Sequence, residues 1–504
     1  HSSFKATVTK SKQSPDEIGE IYKDCYVQTV DEIYEKMNYL PEQIIQEGIN
    51  NSIEIADMCN VSIEFGKVKF PQIQLPDSFK NNTRAYLEYR VEQGWQDRNY
   101  SSQPLSKQEE MKQRLAYELD VIEDKGFCDY FAIVDDFIAY NNKCGFMPPQ
   151  GRGSAAGSAV AYFMKFHDLD PLDYDLIFER FLNPDPNDTH IPDIDVDFVH
   201  TARSKIVDYC SDKYGEDKVC NIGLFSYILA KTAIKDIGKS LGIPFNVTNE
   251  ICKNISDKEN LKDYVLNKKH KKFIDKYPNF DIDRMFVIAS EIQGIPKSFG
   301  SHPSGKIICN EVIEESIGVA VIDGENVCMC DMHDVEDIGF IKFDFLGLKT
   351  NTIIQNTLSL IGKTPEIIET DKMNMNDDKV YEQFRKGNTS GIFQFSSYGM
   401  REVLAKMEVD CLEDLIAANA LFRPGAMNYI DTFCHNKKYP KDIKYVHEDL
   451  KEILGVTYGQ LIYQEQMMAI GKLANVPSVD DLRRACGKKI VELMDKQEVY
   501  LKDG

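Results

Sequence analysis

His190-Ile-Pro-Asp-Ile-Asp-Val-Asp-Phe198 sets carboxylates at 193, 195 and 197, with Ile194, Val196 and Phe198 between them. Alternation with a period of two marks a β-strand, whose successive side chains point to opposite faces. The apolar set predicts a strand anchored on a core, with three acids in a row on its other face. Like charges on one face repel, so a fold that keeps Asp193, Asp195 and Asp197 together calls for a cation between them. Carboxylates two residues apart can straddle a pair of magnesium ions about 3.5–4 Å apart, the separation used in phosphoryl chemistry.

A second acidic strand is predicted at Ile338-Gly-Phe-Ile-Lys-Phe-Asp-Phe-Leu-Gly347, where Ile341, Phe343 and Phe345 alternate with Lys342, Asp344 and Leu346. Asp344 and Lys342 therefore share a face. Alone, Asp344 reads as an ordinary edge residue; beside Asp195 and Asp197 in one sheet it completes a three-carboxylate metal site. Some 40 residues before the first acidic strand, Gly151-Arg-Gly-Ser154 and Gly157-Ser158 stand where a loop enters a helix. Glycines let backbone approach a ligand, and a helix N-terminus offers free N–H donors, so this loop suits a triphosphate. No Lys-Ser/Thr pair follows the glycines, which excludes a P-loop.

The 504 residues are too many for one ordinary core, and roughly three or four domains are expected. A content of 42% hydrophobic and 11% aromatic residues is that of a globular chain. No apolar run approaches the ~20 residues of a membrane span, and no signal peptide precedes the fold. Thirteen cysteines without regular spacing fit reduced thiols in a cytoplasm. The net charge of -22 argues mildly against a general nucleic-acid binder, although local charge can differ from the total. The chain starts at His1 rather than Met, as expected of a piece of something longer or a processed product.

Helical patterns are expected at 16–36 and 41–59, a strand-like run at 61–70, and a linker from Phe70 to Asp77. A charged helical stretch follows from 80 to 145, with Leu115, Leu119, Ile122 and Phe127 on its apolar face. Helices are expected at 158–165, 201–214 and 228–241, an all-helical region at 245–298, strands at 305–309, 317–322 and 338–346, and mostly helices beyond 350. An α/β core thus appears twice around a helical insertion. Lys231, Lys235 and Lys239 repeat at helical spacing, and Arg483-Arg484, Lys488-Lys489 and Arg423 form further basic sets. Singly each reads as a solvated face; around an anionic metal–phosphate site they would neutralise phosphate charge. Cys328-Met-Cys330-Asp-Met-His333 lacks a usual zinc spacing. His302 suits phosphate contact or loop support equally, and Trp95 reads as packing.

Beyond this generic chemistry, long runs resemble one family. GRGSAAGSAVAY at 151–162, DLDPLDYDLIFERFLNP at 168–184, IPDIDVDF at 191–198 and IKFDFLGL at 341–348 resemble the palm of bacterial replicative DNA polymerases, family C. GIFQFSSYGM at 391–400, ALFRPGAM at 420–427, TYGQLIYQEQMM at 457–468 and LRRACGKK at 482–489 resemble that family's fingers. The resemblance runs from about residue 26 to the C-terminus.

It implies an α/β multidomain chain with a nucleotidyltransferase-type palm, like that of family X polymerases, a helical thumb insertion and largely helical fingers. The implied boundaries are 1–75 for the end of a PHP domain, 76–226 and 301–349 for the palm, 227–300 for the thumb and 350–504 for the first part of the fingers. The implied activity is DNA-directed DNA synthesis: addition of deoxynucleotides to a primer 3′-hydroxyl with release of pyrophosphate. Asp195, Asp197 and Asp344 are the implied catalytic ligands of two Mg2+ ions, with Asp193 in support. Asp195 and Asp197 would bridge both ions, and Asp344 would bind the ion that activates the primer hydroxyl. Gly153, Ser154 and Ser158 match the loop that cradles the incoming deoxynucleoside triphosphate. Lys342, Arg423, Arg483, Arg484, Lys488 and Lys489 complete the implied nucleotide-binding set, and Lys231, Lys235 and Lys239 would grip duplex backbone.

Implied partners are primer-template DNA, deoxynucleoside triphosphates and other replisome subunits, among them a sliding clamp bound through regions outside this sequence; the implied compartment is the cytoplasm, with no membrane. The chain departs from the family pattern at Gln394-Phe-Ser-Ser397, where Gln-Leu-Glu-Ser is common, so a fingers carboxylate is absent. Lys306 replaces a small or apolar residue, and Lys235 and Lys239 replace common arginines. Two other readings remain: a catalytically incomplete piece that acts only with a C-terminal partner segment, and a metal-dependent phosphoesterase or nuclease, which would not need the Gly-Ser loop.

Overall fold

The computed structural model describes residues 26–69, 71–80, 82–185, 191–364, 374–488 and 490–503. Among the described residues, seven strands and a majority of helices make this a mixed α/β protein. It divides into two compact units: residues 1–68, 220–303 and 313–340 form one, and residues 69–219, 304–312 and 341–504 the other. Among the described residues no helix is long and apolar enough to cross a membrane.

The larger unit is built on the two acidic strands. Strand β1 (Gln150–Arg152) runs antiparallel to β2 (Asp195–Val199), with Arg152 opposite Asp195. β2 runs parallel to a later strand, Lys342–Leu348, with Val196 opposite Phe345. On the far side of that strand, Gly305–Ile307 pair antiparallel, Gly305 opposite Asp344. A parallel pair needs a long crossover, and residues 200–341 supply it. Alternation sends Val196, Phe198, Phe343 and Phe345 to one face, all at most 1% exposed. There the helix Cys128–Lys143 lays Phe137 against Phe198 (6.0 Å), Phe345 (5.0 Å) and Phe343 (6.3 Å). The carboxylates are left on the other face. The same unit holds the helices Asp378–Arg385, Tyr398–Met407, Leu412–Leu421 and Ile430–Lys438 around a separate core that includes Leu404, Ala418, Leu421 and Phe433.

In the smaller unit the helices from Ala230 to Ile292 enclose their own core of Ile234, Ile237, Ile251, Leu261, Met285 and Phe286. Strands β3 (Val219–Tyr227), β4 (Pro296–Ile308), β5 (Val319–Ile322), β6 (Glu325–Cys328) and β7 (Lys342–Leu348) complete the chain order. β5 and β6 form a hairpin whose turn, Asp323-Gly324, has φ of 53° and 85° at its two residues. Positive φ at both positions is what a two-residue hairpin of this twist requires.

Three expectations differ from this fold. β3 was not anticipated, because its first five residues are all buried and so show no alternation. β4 begins inside the region expected to be all-helical, in the run Pro296–His302, whose residues are exposed or only half-buried. The strand-like run expected at 61–70 is no strand over residues 61–68, where Val61, Ile63 and Phe65 are exposed; only Lys69 makes a single bridge, and Phe70 lies outside the described residues. The helix expected at 16–36 is described only from Val30 to Lys36, its earlier part lying outside the described residues.

Candidate active site

One residue before the Val196–Phe345 pair stand Asp195 on β2 and Asp344 on β7, so the register alone makes them neighbours. A carboxylate oxygen from each of Asp193, Asp195 and Asp344 lies within 4.8 Å of the other two. The start of β2 is held by the Tyr130 hydroxyl, which accepts from the Ile194 N–H at 2.9 Å. Further along, Asn351 donates to the Asp197 carbonyl at 2.9 Å and Arg203 to the Phe345 carbonyl at 2.9 Å.

Two cations face the acids. Lys342 Nζ lies 2.9 Å from Asp344 Oδ2 and 3.2 Å from Asp193 Oδ2. Arg152 Nε lies 3.4 Å from Asp197 Oδ1, and its Nη2 is 4.0 Å from Asp195 Oδ1. Burial still dominates: it pushes the carboxyls of Asp193, Asp195 and Asp197 above the usual range against the pull of these cations. Burial draws the Lys342 ammonium down, but Asp193 and Asp344 outweigh it and raise its pKa. The other oxygens, Asp193 Oδ1 and Asp344 Oδ1, are buried with no hydrogen-bond partner among the described residues. A buried ionised oxygen without a donor is expensive. A hard divalent cation, which prefers carboxylate oxygens, fits this donor set.

The Gly-Ser loop leaves β1 as a tight turn, Gly153–Gly157, and enters the short helix Ala159–Phe163. Gly153 has φ +73°, and a Cβ there would stand 3.4 Å from Asp195 Oδ2. The loop backbone thus comes up against the acids. Ser154 is half-buried and Gly153 exposed. Ser158 differs from expectation. It is fully buried, its hydroxyl donating to Glu118 Oε2 at 2.8 Å and accepting from the Ala161 N–H at 3.2 Å. Nor are the first N–H groups of the helix free for a ligand: those of Ala159 and Val160 donate to Glu118 at 3.0 Å each.

The remaining basic residues are spread out. Arg423 is exposed just after the helix Leu412–Leu421, and Arg483 is half-buried in the helix Val479–Lys488. Lys489 lies outside the described residues, as do the side chains of Arg484 and Lys488. In the smaller unit Lys231 pairs with Asp257 at 3.4 Å, Lys235 lies over the Phe245 ring at 5.7 Å, and Lys239 is exposed. Sequence reasoning passed over Arg152, although its place between two glycines was a signal. It also missed Glu118, for which an Arg114–Glu118 pair one helical turn apart gives none. Arg180 was missed too; it reaches Glu465 and donates to Gln464 Oε1 at 3.1 Å.

Residues 85–347 match the bacterial DNA polymerase III alpha NTPase domain, and residues 350–504 match the finger domain of the same subunit. The DNA polymerase III subunit alpha of Halalkalibacterium halodurans is 37% identical over 460 residues, covering 90% of this chain and 40% of the relative. Those of Bacillus subtilis and Escherichia coli K12 are 35% and 34% identical, covering 91% and 94% of this chain and 41% and 44% of their own lengths. The chain therefore spans about 40% of the length of the curated relatives it matches. The chain belongs to the bacterial DNA polymerase III alpha family.

Proposed function

We propose that this chain is the polymerising core of a DNA-directed DNA polymerase that extends a primer 3′-hydroxyl on a DNA template. The observation that carries the reading is the convergence of Asp195 and Asp344, with a buried, unpartnered carboxylate oxygen, directly under the Gly153 backbone. Asp195, Asp197 and Asp344 would hold Mg2+, which when bound lowers the pKa of an attacking hydroxyl and offsets charge on the transferring phosphoryl group.

The chain's own residues have separate tasks. Lys342 neutralises part of the acid charge and fixes Asp344 and Asp193 to each other. Arg152 is about half exposed, so it can swing from Asp195 and Asp197 toward an incoming triphosphate. Gly153 and Ser154 bring backbone to the triphosphate, while Ser158 shapes the loop from beneath. Arg423, Arg483, Arg484, Lys488 and Lys489 supply positive charge on the fingers side, and Lys231, Lys235 and Lys239 grip duplex phosphates without reading sequence. Residues 76–226 and 301–349 act as palm, 227–300 as thumb, 350–504 as the first part of the fingers, and 1–75 as the end of a PHP domain. Substrates are deoxynucleoside triphosphates and primer-template DNA, the setting is a cytoplasmic replisome, and a sliding clamp is a partner of the longer protein.

Primer extension tests this. Asp195→Asn, Asp197→Asn and Asp344→Asn should each lose activity on the order of a thousandfold, while retaining primer-template binding. Asp193→Asn should lose far less; the reverse ranking of Asp193 and Asp197 would move the third ligand to Asp193. Near wild-type extension by Asp344→Asn would sink the assignment. Because the chain spans about 40% of its relatives, a second reading is that it extends primers only when a relative's C-terminal remainder is supplied, which the same assay decides.

A further inference from the structure

The helix Leu105–Asp124 carries an acid that the metal chemistry does not use. Glu118 is 0% exposed. Its Oε1 accepts from Arg114 Nε at 2.6 Å and from the Ala159 N–H at 3.0 Å. Its Oε2 accepts from the Ser158 hydroxyl at 2.8 Å and from the Val160 N–H at 3.0 Å. Burying a carboxylate is costly unless it is paired and hydrogen-bonded, and here four donors converge on it. The partner arginine reaches the other side of the same turn: Arg114 Nη2 donates to the Gly157 carbonyl at 2.9 Å and to the Leu176 carbonyl at 3.2 Å.

The pair thus grips the backbone immediately before Ser158 by a carbonyl and immediately after it by two N–H groups. Gly157 has no room to shift toward the neighbouring segment, since a Cβ there would meet the Ile177 carbonyl at 2.8 Å. At the other end, the loop is tied to β2 by the pairing of Arg152 with Asp195. The five residues Gly153–Gly157 are therefore strung between the acids and Glu118.

We infer that Glu118, braced by Arg114, is the positioning residue of this loop: it sets the height of Gly153 and Ser154 over Asp195, and with it the site's affinity for a nucleoside triphosphate. This rests on reading the loop as a triphosphate cradle. The carboxylates' hold on a divalent cation does not pass through Glu118. Glu118→Gln keeps the size of the side chain but turns an NH2 group toward backbone N–H donors, leaving one of them unsatisfied.

The test uses the 504-residue chain, with labelled dATP binding in Mg2+ by equilibrium dialysis, and Mn2+ binding without nucleotide by electron paramagnetic resonance. Glu118→Gln should weaken dATP binding about tenfold or more and leave Mn2+ binding within about twofold. Arg114→Lys keeps a cation beside Glu118 but loses the forked contact to Gly157 and Leu176, so it should move dATP affinity the same way by less. If circular dichroism shows Glu118→Gln unfolded, Arg114→Lys alone decides. Unchanged dATP binding in the folded variants overturns the inference, as does a parallel loss of dATP and Mn2+ binding. Wild-type chain that binds Mn2+ but no dATP is a different result, and overturns the triphosphate reading of the loop together with this one.

Discussion

Among the described residues, the larger unit contains two acidic clusters that look alike in composition and differ in what they need. Asp193, Asp195 and Asp344 form one; Asp410, Cys411 and Asp414 form the other, again with ligand atoms within 4.8 Å. Each has a lysine in its midst. In the second cluster Lys437 Nζ lies 2.5 Å from Asp414 Oδ2 and 3.3 Å from Asp410 Oδ1, and also donates to the carbonyls of Met407 (3.3 Å) and Glu408 (3.1 Å). The Asp410 N–H donates to Asp414 Oδ2 at 3.0 Å. This is a helix C-terminus closed by a basic side chain. Although burial works against it, the contacts from Asp414 and Lys437 hold the Asp410 carboxyl below its usual range.

In the first cluster the balance runs the other way. Lys342 and Arg152 do not offset burial, the carboxyls of Asp193 and Asp195 are raised, and two buried oxygens lack partners among the described residues. An acidic cluster whose charges are answered from within is structural. One whose charges are left over would gain from a bound cation.

Substitution of the two lysines should break the resemblance most clearly. Lys437→Met leaves the almost fully buried Asp414 uncompensated and should cost about 3 kcal/mol or more in chemical denaturation, with no recovery in millimolar Mn2+. Lys342→Met should also destabilise the metal-free chain, but millimolar Mn2+ should restore most of the loss, because a bound cation stabilises the folded state by mass action. Recovery of both variants, or of neither, would erase the distinction.

A smaller effect is expected from removing charge on the acid side. Asp195→Asn relieves repulsion and burial cost, so the melting temperature of the chelator-treated chain should rise by about 2–4 °C. Asp414→Asn strips Lys437 of its closest partner and should lower it.

The smallest effect concerns pH. A carboxyl whose folded pKa is raised costs stability while ionised, and that cost is relieved as pH falls through the folded value toward the unfolded value near 4. The melting-temperature advantage of Asp195→Asn over the parent, measured in chelator, should therefore shrink steadily as pH is lowered from neutral. A gap that stays constant would mean that the Asp195 carboxyl is not raised.

Much of this was legible in the residues. The alternation around Asp195 and around Asp344 identified both acidic strands, because a strand with one buried face must write its pattern into every second position. The helices between Ala230 and Ile292 were readable from periodicity, and they enclose a core of their own. β3 was not readable, because its first five residues are buried on both faces and show no alternation. The run expected at 61–70 misled for the opposite reason: it has the pattern, but its apolar residues Val61, Ile63 and Phe65 stay exposed.

The site divides in the same way. Chemistry belongs to residue types and near neighbours, so the sequence by itself determined which acids, which Gly-Ser loop and which lysine the chain has to offer, and on which strand faces the acids and the lysine lie. Which atoms meet depends on register and on contacts between residues far apart in the chain. Parallel pairing of β2 with β7 put Asp344 beside Asp195, and an arginine opposite Asp195 put a cation over Asp197. Only the tertiary structure could turn Ser158 inward, because the carboxylate that holds it, Glu118, stands 40 residues earlier on another helix. A buried charge has to be answered by whatever donors the fold brings within 3 Å or so, and no local pattern records which ones those will be.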